Sequence, residues 1–105
     1  YAGPVWMDIN CSNTLNAKAA RENDDERHVC PMALDLIERA IQLWSNPGDV
    51  VFDPFSGIGS TGYQAIRMGR KFAGSELKTA YFEQAVKNIG SAKANQGALF
   101  DSEAV

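Results

Sequence analysis

An α/β fold, with a parallel sheet flanked by helices, is what this 105-residue sequence predicts. Three observations predict it. A short, β-branched apolar run stands at Val50-Val51-Phe52, helix-spaced apolar patterns flank it, and a second short run, Lys71-Phe72-Ala73-Gly74, follows one helix later. Strands that alternate with helices in this order pair in parallel through right-handed crossovers.

The elements follow in order. Residues 1–27 read as irregular: Val5-Trp6-Met7-Asp8-Ile9 is a candidate short strand, 10–16 is polar and turn-rich, and the charge run 21–27 reads as a solvated loop. Pro31 suits a first helical position, where its missing N–H has no partner to lose. Leu34, Ile37, Ile41 and Trp44 then recur at helical spacing, with Leu36, Ala40 and Leu43 widening the apolar face. Asn46-Pro47-Gly48 stops that helix. The run from Val50 is apolar throughout, as a central parallel strand requires. Ser60 is placed to cap the next helix, which ends with Gly69 at C′. A third helix starts near Thr79, with Phe82, Val86 and Ile89 on one face. Residues 28–90 thus form one α-β-α-β-α unit, between an irregular segment (1–27) and a tail (91–105).

Composition sets outer bounds. At 45% hydrophobic and net charge −3, the chain reads as a single soluble domain or a piece of one. A chain of this size buries roughly 60–70% of its unfolded surface, enough for a thin core. No apolar run approaches the ~20 residues of a membrane span, and Cys11 and Cys30 make neither a disulfide framework nor a zinc site. A reduced, cytoplasmic setting is expected. The charge lacks the basic excess of a nucleic-acid-gripping surface.

The richest segment is Asp53-Pro54-Phe55-Ser56-Gly57-Ile58-Gly59-Ser60-Thr61-Gly62. It takes a buried strand through a carboxylate and two glycines into a helix, and Glu76 appears at the end of the next strand. Such a layout holds an adenosine-containing cofactor. Glycines admit close approach, the helix start offers unpaired N–H groups, and a second carboxylate can accept both ribose hydroxyls. Gly57 to Gly62 also satisfies G-x-G-x-x-G, which alone is a weak signal. In the dinucleotide fingerprint the first glycine follows the strand almost directly. Here Asp53 intervenes and sets negative charge where two phosphates would come near. S-adenosylmethionine, with an ammonium, a sulfonium and one carboxylate, suits the site better than NAD.

Asp53-Pro54-Phe55-Ser56-Gly57-Ile58-Gly59-Ser60 resembles the cofactor motif of DNA amino-methyltransferases, which methylate adenine N6 or cytosine N4. Glu26-Arg27-His28-Val29-Cys30-Pro31-Met32-Ala33-Leu34 is similar to the segment before that motif in the circularly permuted subgroup. Gly69-Arg70-Lys71-Phe72-Ala73-Gly74-Ser75-Glu76-Leu77 and Tyr81-Phe82 follow the family as well. The resemblance spans about His28 to Ile89. It implies a partial Rossmann-like methyltransferase fold and a cofactor set of His28, Pro31, Asp53, Phe55, Gly57, Gly59, Ser60 and Glu76. Within that set Glu76 takes the ribose and Asp53 the amino-acid end. Phe55 either walls the adenosine or is core, and Ser60 either meets the methionine carboxylate or caps its helix. Cys30 stands where many members carry Lys, so His28 or the N–H groups of Met32 and Ala33 would substitute. Cys30 itself reads as inert.

Catalysis in the family needs an Asp/Asn/Ser-Pro-Pro-aromatic loop that accepts hydrogen bonds from the amine and stacks on the flipped base. No such sequence exists here, so no catalytic residue is expected in this chain. The reading is the cofactor half of a site-specific DNA methyltransferase, a fragment or a separately encoded piece, with DNA held mainly by an absent N-terminal part. Alternatives are an NAD-binding oxidoreductase domain, a non-catalytic subunit of a split methyltransferase, and a small-molecule or RNA methyltransferase. Gln96-Gly97-Ala98-Leu99-Phe100 resembles sliding-clamp-docking peptides, although folding back onto the domain is the preferred reading of Leu99 and Phe100.

Overall fold

The computed structural model describes residues 3–16 and 31–103, with side chains described as far as Gln96. Its elements are α1 (Leu34–Trp44), β1 (Val50–Asp53), α2 (Ser60–Arg67), β2 (Lys71–Gly74) and α3 (Thr79–Glu103). β1 and β2 pair in parallel, with Val50 opposite Lys71, Val51 opposite Phe72 and Asp53 opposite Gly74. The order and both strands match the sequence expectation, and α3 runs on through residues 91–103.

Pleating sorts the strand side chains. Val51 and Phe72, opposite each other, turn toward the helices and join the core of Leu34, Ile37, Ile41 and Ala65. Burying each of the three large aliphatic residues contributes about 1.5–3 kcal/mol. Val50 and Phe52 turn the other way and stay 63% and 65% exposed. β1 therefore has one covered face, and among the described residues it pairs with β2 alone.

α2 is the hub, touching α1, α3 and both strands. Its C-terminus closes as a Schellman motif: Arg70 N–H donates to Ala65 C=O and Gly69 N–H to Ile66 C=O, with Gly69 at φ +82°. The nearly buried Arg70 donates to Ser45 Oγ (2.9 Å), Ser45 C=O (2.8 Å) and Met68 C=O (2.8 Å). One guanidinium thus ties together the C-terminal ends of α1 and α2, where helix dipoles favour a cation. Buried Gln64 donates to Leu34 C=O across the α1–α2 seam.

Four local expectations change. Val5 to Ile9 forms no strand. It lies along α1, held by Asp8 to Arg39 through two hydrogen bonds (2.6 and 2.9 Å) and by Trp6 under the Arg39 guanidinium. Those hydrogen bonds lower the Asp8 carboxyl pKa. The pair's contribution is therefore present above the ordinary carboxylate pKa and lost as pH falls through the lowered one. Pro31 is not the first helical residue: Ala33 is extended (ψ 130°), Leu34 N–H goes to Asn13 C=O, and α1 starts there. Ser60 does not cap α2, because Gly59, left-handed at φ +89°, occupies the N-cap. On α3 the buried residues are Ala85 and Ala92, while Phe82 and Val86 stay about half exposed.

The last change has a steric cause. A Cβ on Gly62 would lie 2.6 Å from Ile89 Cδ1 and 2.8 Å from the Phe72 ring. A Cβ on Gly59 would lie 3.1 Å from Ala85. α2 and α3 are so close that only small residues fit between them, which leaves the larger α3 residues at the margin. Gly62→Ala is expected to lower stability by about 1–3 kcal/mol in urea unfolding, from overpacking. Gly90→Ala, with open space around its Cβ on exposed α3, should raise it by roughly 0.5–1 kcal/mol.

Candidate cofactor site

The parallel register does the first work. It sets the end of β1 beside the end of β2, and the two following loops are stitched together by Ser75 N–H to Asp53 C=O (3.1 Å) and Ser56 N–H to Ser75 C=O (2.9 Å). Ser75 Oγ adds a bond to Pro54 C=O (2.7 Å). From the far side Asn88 on α3 donates to Ile58 C=O (2.8 Å). The turn from β1 into α2 is thus held on two flanks.

Each carboxylate has a distinct part. Asp53 Oδ1 accepts Phe55 N–H (2.9 Å), an Asx turn that starts the loop. Glu76 Oε2 accepts Gly57 N–H (2.8 Å) and its Oε1 accepts Lys78 N–H (3.1 Å). Glu76 therefore braces the glycine turn from the neighbouring strand end. A carboxylate offers about four acceptor sites, so two remain for a ligand's hydroxyls. That brace was not foreseen from the sequence, where Glu76 was read only as a ligand group. The long reach of a strand-end acid to a glycine N–H leaves no local sequence signal.

Two hollows adjoin at Ser56. The first, about 220 Å³, is lined by Pro31, Met32, Asp53, Phe55, Ser56, Gly57, Ile58, Ser60, Thr61 and Tyr81. The second, about 80 Å³, lies between Glu76, Phe82, Val86 and Phe72. Asp53 and Glu76 thus flank the same loop but line different hollows. Each is smaller than the roughly 300 Å³ of a small-molecule site, so a nucleoside with an amino-acid tail would extend across both. The lining of the larger hollow carries a single charged side chain among the described residues, that of Asp53. This suits an ammonium and opposes a diphosphate.

The expected set divides accordingly. Pro31, Asp53, Phe55, Gly57 and Ser60 meet at the larger hollow, and Phe55, 86% exposed, is no part of the core. Gly57, at φ +57° with open space where a Cβ would stand, faces outward. Gly59 turns toward α3 instead and serves the packing. Glu76 lines the smaller hollow, and His28 lies outside the described residues, as does Cys30. Tyr81 and Thr61 line the larger hollow without having been singled out for the site.

A family model described as DNA methylase matches residues 2–87. This chain belongs to the DNA methylase family. Membership agrees with the resemblance read from residues 28–89 and sets aside a dinucleotide oxidoreductase. The chain is 45% identical over 58 residues to Type II methyltransferase M1.MboII of Moraxella bovis, covering 55% of this chain and 22% of that protein. It is 41% identical over 64 residues to DNA adenine methyltransferase YhdJ of Escherichia coli K12, covering 61% and 22%. Among solved structures it resembles TTHA0409 of Thermus thermophilus, a DNA modification methylase complexed with S-adenosyl-L-methionine. There the TM-score is 0.57 at 32% identity, over 71% of this chain and 35% of that one. It also resembles M1.HpyAVI, with a TM-score of 0.53 at 40% identity, over 54% and 29%. The chain therefore spans between 22% and 35% of the length of these relatives. Similarity to these methylases bears out the partial Rossmann-like methyltransferase fold.

Glu76→Ala removes the acceptor from two backbone donors in a half-buried setting. A loss of about 1 kcal/mol is expected, with faster amide hydrogen exchange at Gly57 and Lys78. Glu76→Gln, which keeps one carbonyl acceptor, should retain protection at one of the two.

Proposed function

We propose that this chain is the S-adenosylmethionine-binding portion of a DNA methyltransferase acting on an exocyclic amine. The observation that carries the proposal is the pair of acids at adjoining strand ends, one on each side of the loop from Pro54 to Gly59. In this reading Asp53 attracts the ammonium of the amino-acid tail, and its Oδ2 has no partner among the described residues. Glu76 accepts the ribose hydroxyls while keeping Gly57 in place, and Phe55 lies against the ligand. Adenine N6 is favoured over cytosine N4, because one relative is named an adenine methyltransferase.

When bound, the cofactor supplies an electrophilic methyl on a sulfonium. The residues of this chain bind and orient it, and positioning is the chief need of a direct displacement. The amine-activating Pro-Pro-aromatic loop and the basic surface for DNA would come from further polypeptide. The exposed face of β1, at Val50 and Phe52, supports that view. So does the apolar groove of about 410 Å³ between Leu36, Ala40, Trp44 and Val50. Both offer a place for a strand with an apolar face to pack. Cys11, an exposed free thiol, fits a reducing cytoplasmic setting, which is part of the proposal. Gln96 to Phe100 lies within α3, and a clamp-docking role for it does not enter.

Calorimetric titration should detect S-adenosylhomocysteine binding and none of NADH. Asp53→Asn retains the acceptor for Phe55 N–H and removes only charge, so it should weaken S-adenosylhomocysteine about tenfold, the worth of one charge-assisted contact. Binding of NADH, or an unaffected Asp53→Asn variant, would contradict the proposal.

A further inference from the structure

The larger hollow poses a charge problem that its lining answers in one way. An amino-acid tail brings a carboxylate as well as an ammonium. The one charged side chain among the described lining residues, Asp53, can serve only the ammonium. The carboxylate must therefore be met by neutral donors. Ser60 is 7% exposed at the start of α2, and Thr61 follows it. Tyr81 stands on the first turn of α3 and carries its donor at the end of a long, stiff ring, which reaches further than a seryl or threonyl hydroxyl.

The position of Tyr81 is fixed from both ends. The Lys78 ammonium lies over its ring at 5.4 Å from the centroid, a cation–π contact that orients the ring. One turn on, Ala85 packs against Gly59, and Asn88 holds Ile58 C=O, so α3 cannot slide relative to the loop. The same residues that fix the glycine turn thus fix the distance from Tyr81 to the hollow.

We propose that Tyr81 is a cofactor-binding residue whose phenol donates a hydrogen bond to the carboxylate of the amino-acid tail. This rests on the cofactor reading above and assigns a group on α3 to a site otherwise built from the two strand ends. Tyr81→Phe keeps the ring beneath Lys78 and removes only the donor.

The test compares S-adenosylmethionine with its decarboxylated form, which retains the ammonium and the nucleoside. Calorimetry on this chain should find S-adenosylmethionine bound about tenfold more weakly by Tyr81→Phe than by the unaltered protein. The decarboxylated ligand should bind both alike. Equal losses for the two ligands, or no loss for S-adenosylmethionine, would overturn the assignment of Tyr81. If the unaltered chain binds neither ligand, the cofactor reading itself fails along with it.

Discussion

The site depends on the hydrogen bond from Gly57 N–H to Glu76, which joins the loop after β1 to the end of β2. A glycine turn with no Cβ and a left-handed φ has little of its own to hold it in one shape. Glu76 supplies the restraint from a neighbouring strand end, and parallel pairing sets the distance over which it acts. The carboxylate is oriented before any ligand arrives because Gly57 and Lys78 already occupy one site on each oxygen. A ribose would then meet acceptors that need no reordering, which is how preorganisation lowers the cost of binding.

The glycines of the loop divide the labour around that bond. Gly57 keeps open space on the ligand side. Gly59 and Gly62 let α3 come close, so that Ala85, Ile89 and Asn88 back the turn. Arg70 and Gln64 tie α1 to α2, and so seat Pro31 and Met32 at the rim of the larger hollow. The fold and the site share one set of close contacts.

Much of this was legible in the sequence because it depends on local pattern. The two strands, the left-handed Gly69 and the starts of β1, β2 and α3 follow from β-branched runs, glycine and helical spacing. The cofactor motif carries its own order of carboxylate, glycines and acid. Other features depend on pairings made only in three dimensions. Val5 to Ile9 has the residues of a strand but no edge to join, and the salt bridge from Asp8 to Arg39 holds it on α1 instead. Ser60 has the chemistry of a cap, yet a left-handed glycine before it takes that position. The buried line on α3 follows the glycines of α2 rather than the largest α3 residues. Tyr81 reaches the hollow because α3 returns across the loop, a placement that no window of sequence encodes.

The claim that one carboxylate both braces the turn and receives the cofactor is tested most directly by solution NMR of the amide protons. On titration with S-adenosylhomocysteine, the Gly57 and Lys78 amide resonances should move together, with the same dissociation constant as the amides of Ser60 and Thr61. A ligand that binds while the Gly57 and Lys78 amides remain unmoved would place the ribose elsewhere and contradict the account.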